Sequence, residues 1–405
     1  MRRTTFWRLG IASALVPAAL LAAPASAGAA TTPLSPAVFN DPSGTVDDQS
    51  RIRDYLLGLV NDTAPGAEIR VSMYGWTDDP VADALVAAAQ RGVVVKVIVD
   101  DHTVGLDGTE YPRLANGENG TAGDDGLGTD RTKPSWVLAC PPARGCIADR
   151  EAGINHNKFF LFSQVNGVSN VLVQTSANLT TVQRNALFNN AVTLTDAGIY
   201  NSYKSYFADL EKYGVMANGI TDYYRTLVSG TYKTYFFPRH EKSGTTATTD
   251  PSTDTIKLVL DNVSCSGGTQ IRVAMYAWTR TQVASKLVSL QKAGCQVTLA
   301  FDGNDDPDGS PHLSAKVEDI ISGQFAKRVE CKEDPGGIGV HSKYLLIEGT
   351  YDGKADSKFV WTGSHNYTYG ALRKNDEALL KINDPQIYAA FKANHDRLME
   401  YCEGS

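Results

Sequence analysis

Two stretches of the chain carry the same order of apolar and polar positions. Ile69-Arg70-Val71-Ser72-Met73-Tyr74-Gly75-Trp76-Thr77 returns as Ile271-Arg272-Val273-Ala274-Met275-Tyr276-Ala277-Trp278-Thr279, an offset of 202 residues from Ile69 to Ile271. Their β-branched and apolar content predicts a buried strand in each. Behind each strand, apolar residues four apart predict a helix, Val81, Leu85 and Val86 in one copy and Val283, Leu287 and Val288 in the other. Gly92 and Gly294 stand where such helices end, at the C′ position. A second strand follows each, over 93–99 and 296–301. Strand, helix and strand joined by a crossover of this length form a βαβ unit, whose strands pair in parallel through a right-handed connection.

The duplication continues downstream. Strands are predicted at 158–162 and 343–347, each followed by a second apolar run, 171–174 and 359–361. Ile199, Tyr200, Tyr203, Tyr206 and Phe207 form the apolar stripe of a closing helix; Ile387, Tyr388, Phe391 and Leu398 give the same face at an offset of 188 from Ile199 to Ile387. Those aromatics are read as core. The Gly- and Asp-rich stretch 105–130 is longer than its counterpart and accounts for the drop in offset from 202 to 185 between Ile69/Ile271 and His156/His341. Residues 243–254, rich in Ser, Thr, Gly and Asp, predict a loop near the junction. The fold class is therefore α/β, with two similar halves over 28–220 and 221–405.

Composition adds a compartment. Arg2, Arg3 and Arg8, an apolar stretch from Ile11 to Ala23 and the small residues Ala25-Ser26-Ala27 have the three parts of a secretory signal over 1–27, so export is expected. No other run reaches the ~18 apolar residues of a membrane span. Six cysteines, an even number in an exported chain, predict three disulfides, with Cys140–Cys146 as a local staple and Cys265, Cys295, Cys331 and Cys402 paired inside the second half. The formal net charge is −7, and removal of the three arginines of the signal makes it −10. That sign disfavours nucleic acid as a partner, because such affinity comes mainly from Lys and Arg neutralising phosphates.

The candidate chemistry is also duplicated. His156-Asn157-Lys158 and His341-Ser342-Lys343 each open an apolar run, and each is followed about twenty residues later by Ser176-Ala177-Asn178 or Ser364-His365-Asn366. One His-X-Lys strand is commonly structural; two with matched Ser-X-Asn triplets point to phosphoryl transfer. Breaking a phosphodiester without a metal needs a nucleophile, a proton donor for the leaving alkoxide and positive groups around the non-bridging oxygens. Two imidazoles can fill the two proton roles, since a pKa of about 6.5 lets one be neutral while the other is protonated. Lys158 and Lys343, two residues along a strand from each histidine, would share its face and bind phosphoryl oxygens. Ser176, Asn178, Ser364 and Asn366 would complete the cradle as neutral donors.

These residues resemble the phospholipase D superfamily, whose signature is His-X-Lys-X4-Asp followed by Gly-Ser-X-Asn, twice in one chain or once per subunit of a dimer. The resemblance covers nearly all of the chain after the signal. It implies two α/β/α sandwich halves related by a pseudo-twofold axis, one active site between them, a phosphohistidine intermediate, no cofactor and no metal. The second motif is nearly complete, with Glu348 at the Asp position, Gly363 before Ser364, and Glu377 where the family often has an acid that orients the histidine. In the first half Ser163 replaces the Asp, Thr175 replaces the Gly, and Ala191 falls opposite Glu377 when Asn189-Asn190-Ala191 is matched to Asn375-Asp376-Glu377. His156 is thus expected to lack a carboxylate and His341 to have one, which leaves open which is the nucleophile.

The expected protein is a secreted, monomeric phosphodiesterase of phospholipase D type. It would act on the headgroup ester of a phospholipid, by hydrolysis or transfer, with transient membrane-surface contact. A nuclease of the same superfamily and a catalytically decayed binding module are the alternatives. His102, His240, His312 and His395 are read as surface or loop residues, and His365 as one that could line the pocket. Trp76, Trp278, Tyr74 and Tyr276 are read as packing at strand ends, some of them at an acyl entrance. Asp302, Asn304, Asp306 and Asp308 resemble a calcium loop, but Pro307 stands where its glycine is required, so a solvated acidic turn is expected.

Overall fold

A computed structural model describes the chain except for residues 3, 6–30, 106–107, 118–124, 247–248, 304–311, 332–336 and 405. The expected signal over 1–27 falls, apart from residues 1, 2, 4 and 5, outside the described residues, as do Asn304, Asp306, Pro307 and Asp308. Residues 1–31 form one unit, and residues 32–405 form a second that contains both halves of the repeat.

The first half is a seven-stranded mixed sheet in the order Ala37–Phe39, Asn190–Leu194, Val168–Thr175, Lys158–Val165, Glu68–Met73, Val94–Val99, Trp136–Ala139. The second half repeats this plan within a nine-stranded sheet, whose spine is Lys327–Cys331, Gln296–Asp302, Gln270–Met275, Lys343–Tyr351, Lys354–Gly363, Ala378–Ile382, Tyr232–Phe236 and Arg225–Ser229. Both βαβ units are present. Ile69 pairs with Val95 and Ile271 with Val297, each in parallel, across the helices Asp79–Gln90 and Thr281–Lys292. Gly92 and Gly294, at φ of +93° and +98°, take the left-handed conformation that ends those helices.

The motif strands reach further than their apolar runs. Lys158–Val165 and Val168–Thr175 form a hairpin across Asn166-Gly167, both at positive φ, and Lys343–Tyr351 turns into Lys354–Gly363 across Asp352-Gly353 in the same way. Such two-residue turns match the twist of the flanking strands. The outer ends of these hairpins are mostly polar, with Val165 and Tyr351 alone reaching back into the cores, so the apolar signal is interrupted there.

Alternate residues of the central strands enter different cores. Phe160 and Phe162 pack outward against helices Val46–Asn61 and Asp79–Gln90, and Leu345 and Ile347 pack against Thr255–Asp261 and Thr281–Lys292. Phe159, Leu161, Tyr344 and Leu346 face a third core, shared by both halves and filled by helices Ala197–Tyr213 and Pro385–Glu403. Tyr203 and Tyr206 of the first of these and Tyr388 and Phe391 of the second are core, as their spacing predicts. Because the strands are buried on both faces, their sequences read as continuous apolar runs.

The disulfides are Cys140–Cys146, Cys265–Cys295 and Cys331–Cys402, which matches the local staple and the pairing of the other four inside the second half. Three disulfides suit an oxidising compartment. Among the described residues no helix is long and apolar enough to cross a membrane.

Candidate active site

Hairpin geometry explains the spacing of about twenty residues within each half. Phe159 pairs with Gln174 and Tyr344 with Thr362, so the start of one strand lies beside the end of the next. His-X-Lys and Ser-X-Asn therefore emerge at one edge of the sheet. The two edges then meet. His156 N donates to Asp376 O at 3.0 Å and Asp376 N to Ile154 O at 2.9 Å; reciprocally, His341 N donates to Phe188 O at 2.9 Å and Gly339 N to Ala186 O at 2.9 Å. Gly339–Val340 pairs in parallel with Leu187–Phe188, and Asn155 bridges Asp376. Each histidine is fastened by its backbone to the opposite half, as a pseudo-twofold relation requires.

The rings are held across the same boundary. His156 Nδ1 lies 3.0 and 2.9 Å from the two carboxylate oxygens of Glu377, and His341 Nδ1 lies 3.0 Å from Asn189 Oδ1. The amide of Asn189 is fixed in orientation because its Nδ2 donates to Gln183 O and Leu187 O, each at 3.1 Å. Its oxygen must then accept from His341 Nδ1–H. Both imidazoles thus carry their proton on Nδ1 and keep an Nε2 lone pair.

This corrects the expected partners. Glu377 orients His156, not His341, and His156 does have a carboxylate. The matching of Ala191 to Glu377 is shifted by two residues: Asn189 is the counterpart of Glu377, at the offset of 188 that also separates Ser176 from Ser364. Ser176 Oγ donates to Asn189 Oδ1 at 2.9 Å and accepts from Asn190 N at 3.0 Å. Ser364 Oγ donates to Glu377 Oε2 and accepts from Ala378 N at 3.1 Å. The expectation that the serines donate to phosphate is corrected too. Each has a single proton, and that proton is engaged in holding the orienting residue. Asn366 Oδ1 accepts from Ala277 N at 3.3 Å, while the buried Oδ1 of Asn178 has no hydrogen-bond partner among the described residues.

Glu348 does not reach the site. It lies at the outer part of its strand, where Tyr388 Oη donates to it at 3.0 Å and Arg272 and Lys358 stand at 3.6 and 3.4 Å. It ties helix Pro385–Glu403 to the sheet. Ser163, its counterpart, accepts from Glu68 N at 2.8 Å, so the missing first-half acid removes nothing from the histidines.

Several groups outside the duplicated motifs, Tyr74 and Tyr276 among them, complete the constellation. Tyr74 packs against His156 with centroids 5.2 Å apart and beneath Lys158 Nζ at 5.1 Å; Tyr276 does the same for His341 at 4.4 Å and Lys343 at 4.8 Å. Asp100 Oδ2 accepts from Asn155 N at 2.6 Å and Asp302 Oδ2 from Val340 N at 2.8 Å, which fixes the residue before each histidine. Asp100 and Asp302 are separated by 202, the offset of the βαβ repeat, and that was the available signal. His312 is no surface residue: it is buried, 4.0 Å from Tyr276 and 3.2 Å from Asp302 Oδ1. His365 is also buried and packs on Phe237 at 4.4 Å. His395 is buried against Thr298 at 2.9 Å.

Electrostatically the site is a set of buried basic groups short of counter-charge. His156 and His341 are 7% and 3% exposed and both lysines are buried. Burial pulls His156 down to about 4 despite Glu377, with Lys158 and Lys343 acting in the same direction as burial. Burial likewise holds His341 well below its usual value, and Lys343, Lys158 and His156 add to this. Lys158 is pulled down to about 7 by burial, against the pull of Glu377 and Asp100, and Lys343 is far below its usual value for the same first reason. Burial raises Glu377, but His156, His365 and Lys158 outweigh it and keep the carboxyl ionised. Lys158 also lowers His341 and Lys343 also lowers His156, so the two motifs lie within electrostatic reach of one another. An anion entering here would restore protons to the lysines and imidazoles. Among the described residues no group of three His, Cys, Asp or Glu side chains is placed to hold a metal ion.

Comparison with known proteins agrees with this architecture. The family described as cardiolipin synthase, PLD-like domain, matches residues 62–211 and again 264–399. No curated protein sequence matches the chain. Phosphatidylserine synthase of Haemophilus influenzae Rd KW20 is similar in fold at a TM-score of 0.56 and 14% identity, over 91% of this chain and 86% of that one. Polyphosphate kinase of Porphyromonas gingivalis gives a TM-score of 0.52 at 14% identity over 90% of this chain, which spans 50% of the kinase. At such identities the two structures speak for the fold alone. The family match takes in both halves and all four catalytic candidates, His156, Lys158, His341 and Lys343, and the chain belongs to the phospholipase D-like superfamily of phosphodiester-processing domains.

Proposed function

We propose that the protein is a secreted phospholipase D-type enzyme that cleaves the headgroup ester of a phospholipid through a phosphohistidine on His156. The observation that carries the order of events is the crossed pairing of the rings, an anionic partner on His156 and a neutral one on His341. A carboxylate on Nδ1 stabilises the positive charge that develops when Nε2 bonds to phosphorus. His341, with an amide partner, has no such compensation and serves better as the proton carrier.

In the first step the His156 Nε2 lone pair forms the N–P bond, the P–O bond to the headgroup breaks, and protonated His341 gives its proton to the leaving alkoxide. In the second, neutral His341 takes a proton from water, the hydroxyl bonds to phosphorus, and the N–P bond breaks. An alcohol in place of water gives transfer. Lys158 and Lys343 neutralise the non-bridging oxygens, and the phosphate in turn raises the pKa of His341, which burial alone leaves too low for an acid. Two consequences are measurable. Binding of orthovanadate or inorganic phosphate at pH 7 takes up protons, seen as a dependence of the calorimetric heat on buffer ionisation enthalpy; a buffer-independent heat contradicts the scheme. Asn189→Asp gives His341 a carboxylate, and the pH dependence of kcat moves to higher pH; an unchanged profile contradicts the proton-carrier role.

Phospholipid is favoured over nucleic acid by the net charge of −7, and export by the N-terminal composition and three disulfides. Catalytic decay, suggested by Ser163 and Ala191, loses its motive because Asn189 fills the orienting position and Ser163 lies away from the histidines. The deciding experiment incubates the protein in EDTA with phosphatidylcholine, other phospholipids and plasmid DNA, with and without a primary alcohol. Headgroup release and an alcohol-dependent phosphatidyl product are expected; nicking of DNA without either would replace this reading by a nuclease.

A further inference from the structure

Away from the histidines, the second half has a pocket of about 300 Å³ lined by Lys233, Lys381, Arg239, Tyr224, Asn262 and Asp352. Lys233 and Lys381 are directly opposite one another on adjacent antiparallel strands, an arrangement that destabilises a sheet when the charges are alike. Both are half-buried, and neither ammonium group has a hydrogen bond or ion pair among the described residues. They rest on aromatic faces instead: Lys381 Nζ is 4.0 Å from the Phe359 centroid and 4.5 Å from that of Tyr351, and Lys233 Nζ is 4.7 Å from that of Tyr235. Arg239 stacks on Tyr224 at 4.3 Å and donates to Thr255 Oγ1 at 3.2 Å. Asp352 is the acid in the lining, against three cations.

The pseudo-symmetric position shows that the fold does not require this. Thr193 is the counterpart of Lys381 at the offset of 188 and lies beside Pro36, whose carbonyl receives its N–H. Thr193 is covered by Tyr55, whose hydroxyl is 2.8 Å from Thr193 Oγ1. Tyr55 belongs to helix Val46–Asn61, of 16 residues; the corresponding helix Thr255–Asp261 has 7. The first half closes this face with a tyrosine, and the second leaves it open and lines it with paired lysines. Burial and the neighbouring lysine lower Lys381, as expected of a cation lacking an anion.

We propose that the Lys233–Lys381–Arg239 pocket is a binding site for a phosphate ester, separate from the active site. Lys381 is four residues along its strand from Glu377, a separation of about 13 Å. A phosphate group would relieve the repulsion between the lysines and accept from the Arg239 fork. The site is independent of the catalytic reading above and stands if that reading fails.

The test compares the full chain with Lys233→Gln/Lys381→Thr, the second change copying Thr193. Inorganic pyrophosphate is titrated calorimetrically at low salt, and retention is measured on phosphatidylcholine vesicles with and without phosphatidic acid. The expected results are loss of one binding site, or a weakening of about tenfold or more, with turnover of a soluble phosphodiester unchanged and a higher Tm because the opposed charges are gone. Asp352→Asn is expected to tighten binding. Loss of vesicle retention with loss of pyrophosphate binding assigns the ligand to a lipid headgroup; loss of pyrophosphate binding alone assigns it to a soluble ester. Unchanged pyrophosphate affinity in the double variant overturns the proposal. Unchanged pyrophosphate affinity together with a lower Tm would also make the lysines packing groups.

Discussion

His156→Ala and His341→Ala each abolish steady-state turnover, by on the order of 10⁴-fold or more, because neither half contains both a nucleophile and a proton carrier. The two losses are expected to differ in kind. With a phosphodiester whose leaving group is a phenolate of low pKa, departure needs no proton, so a His341 variant still releases one equivalent of phenolate in a burst. A His156 variant gives no burst, since no N–P bond forms. Stopped-flow absorbance separates the two, and equal bursts from both variants would remove the distinction drawn between the histidines. The expected asymmetry comes from two side chains, Glu377 at 2.9 Å from His156 and Asn189 at 3.0 Å from His341.

Glu377→Ala is expected to damage both activity and folding. The carboxylate is fully buried, accepts from Ser364 and Asn375, and is the anion on which Lys158, Lys343 and His156 all draw. Removing one member of a buried charge cluster leaves the others without compensation, at a cost of about 3–5 kcal/mol. Glu377→Gln keeps the shape and one acceptor oxygen but not the charge, so it should recover much of the stability and little of kcat. The pH dependence of stability has a definite sign. His156 in the folded chain has its pKa depressed from 6.5 to about 4, so the unfolded state binds the proton first as pH falls, and this contribution to stability is lost between pH 6.5 and 4. The pKa of Glu377 is also depressed, and its contribution is lost as pH falls below the ordinary carboxylate range. Chemical denaturation between pH 7.5 and 4 should therefore show a shallower acid loss in His156→Gln, which removes the titrating imidazole, and one at least as steep as the parent's in Glu377→Gln, which removes the charge that raises His156. An undiminished loss in His156→Gln would mean that the imidazole is not a source of the acid sensitivity.

Much of this molecule was legible because duplication makes independent copies of weak signals. A single His-X-Lys strand is ambiguous, and two at matched distances from Ser-X-Asn are not. The βαβ units, the closing helices and the Cys140–Cys146 staple followed from apolar period, terminal glycines and cysteine position, while the partners of the other four cysteines stayed open within the second half. What failed was register. Asn189-Asn190-Ala191 looks like Asn375-Asp376-Glu377, and local likeness placed Ala191 opposite Glu377. Carrying the offset of 188 from Ser176 and Ser364 would have given Asn189, and with it the amide partner of His341. The crossing of the pairs, each ring held from the other half, was not readable at all. It depends on the docking of Gly339–Val340 beside Leu187–Phe188, two residues of strand that carry no periodic signal. The serines were misassigned for a similar reason: a motif names residue types, and only geometry says where a hydroxyl sends its single proton.

The most direct test of the account is to find the covalent intermediate. The His341→Asn variant, mixed with an activated phosphodiester and quenched in alkali, which preserves the acid-labile phosphoramidate bond, is digested and sequenced by mass spectrometry. The adduct is predicted on His156, with none in the His156→Asn variant. An adduct on His341 in the parent protein, or equal label on both histidines, would contradict the crossed arrangement as the source of their roles.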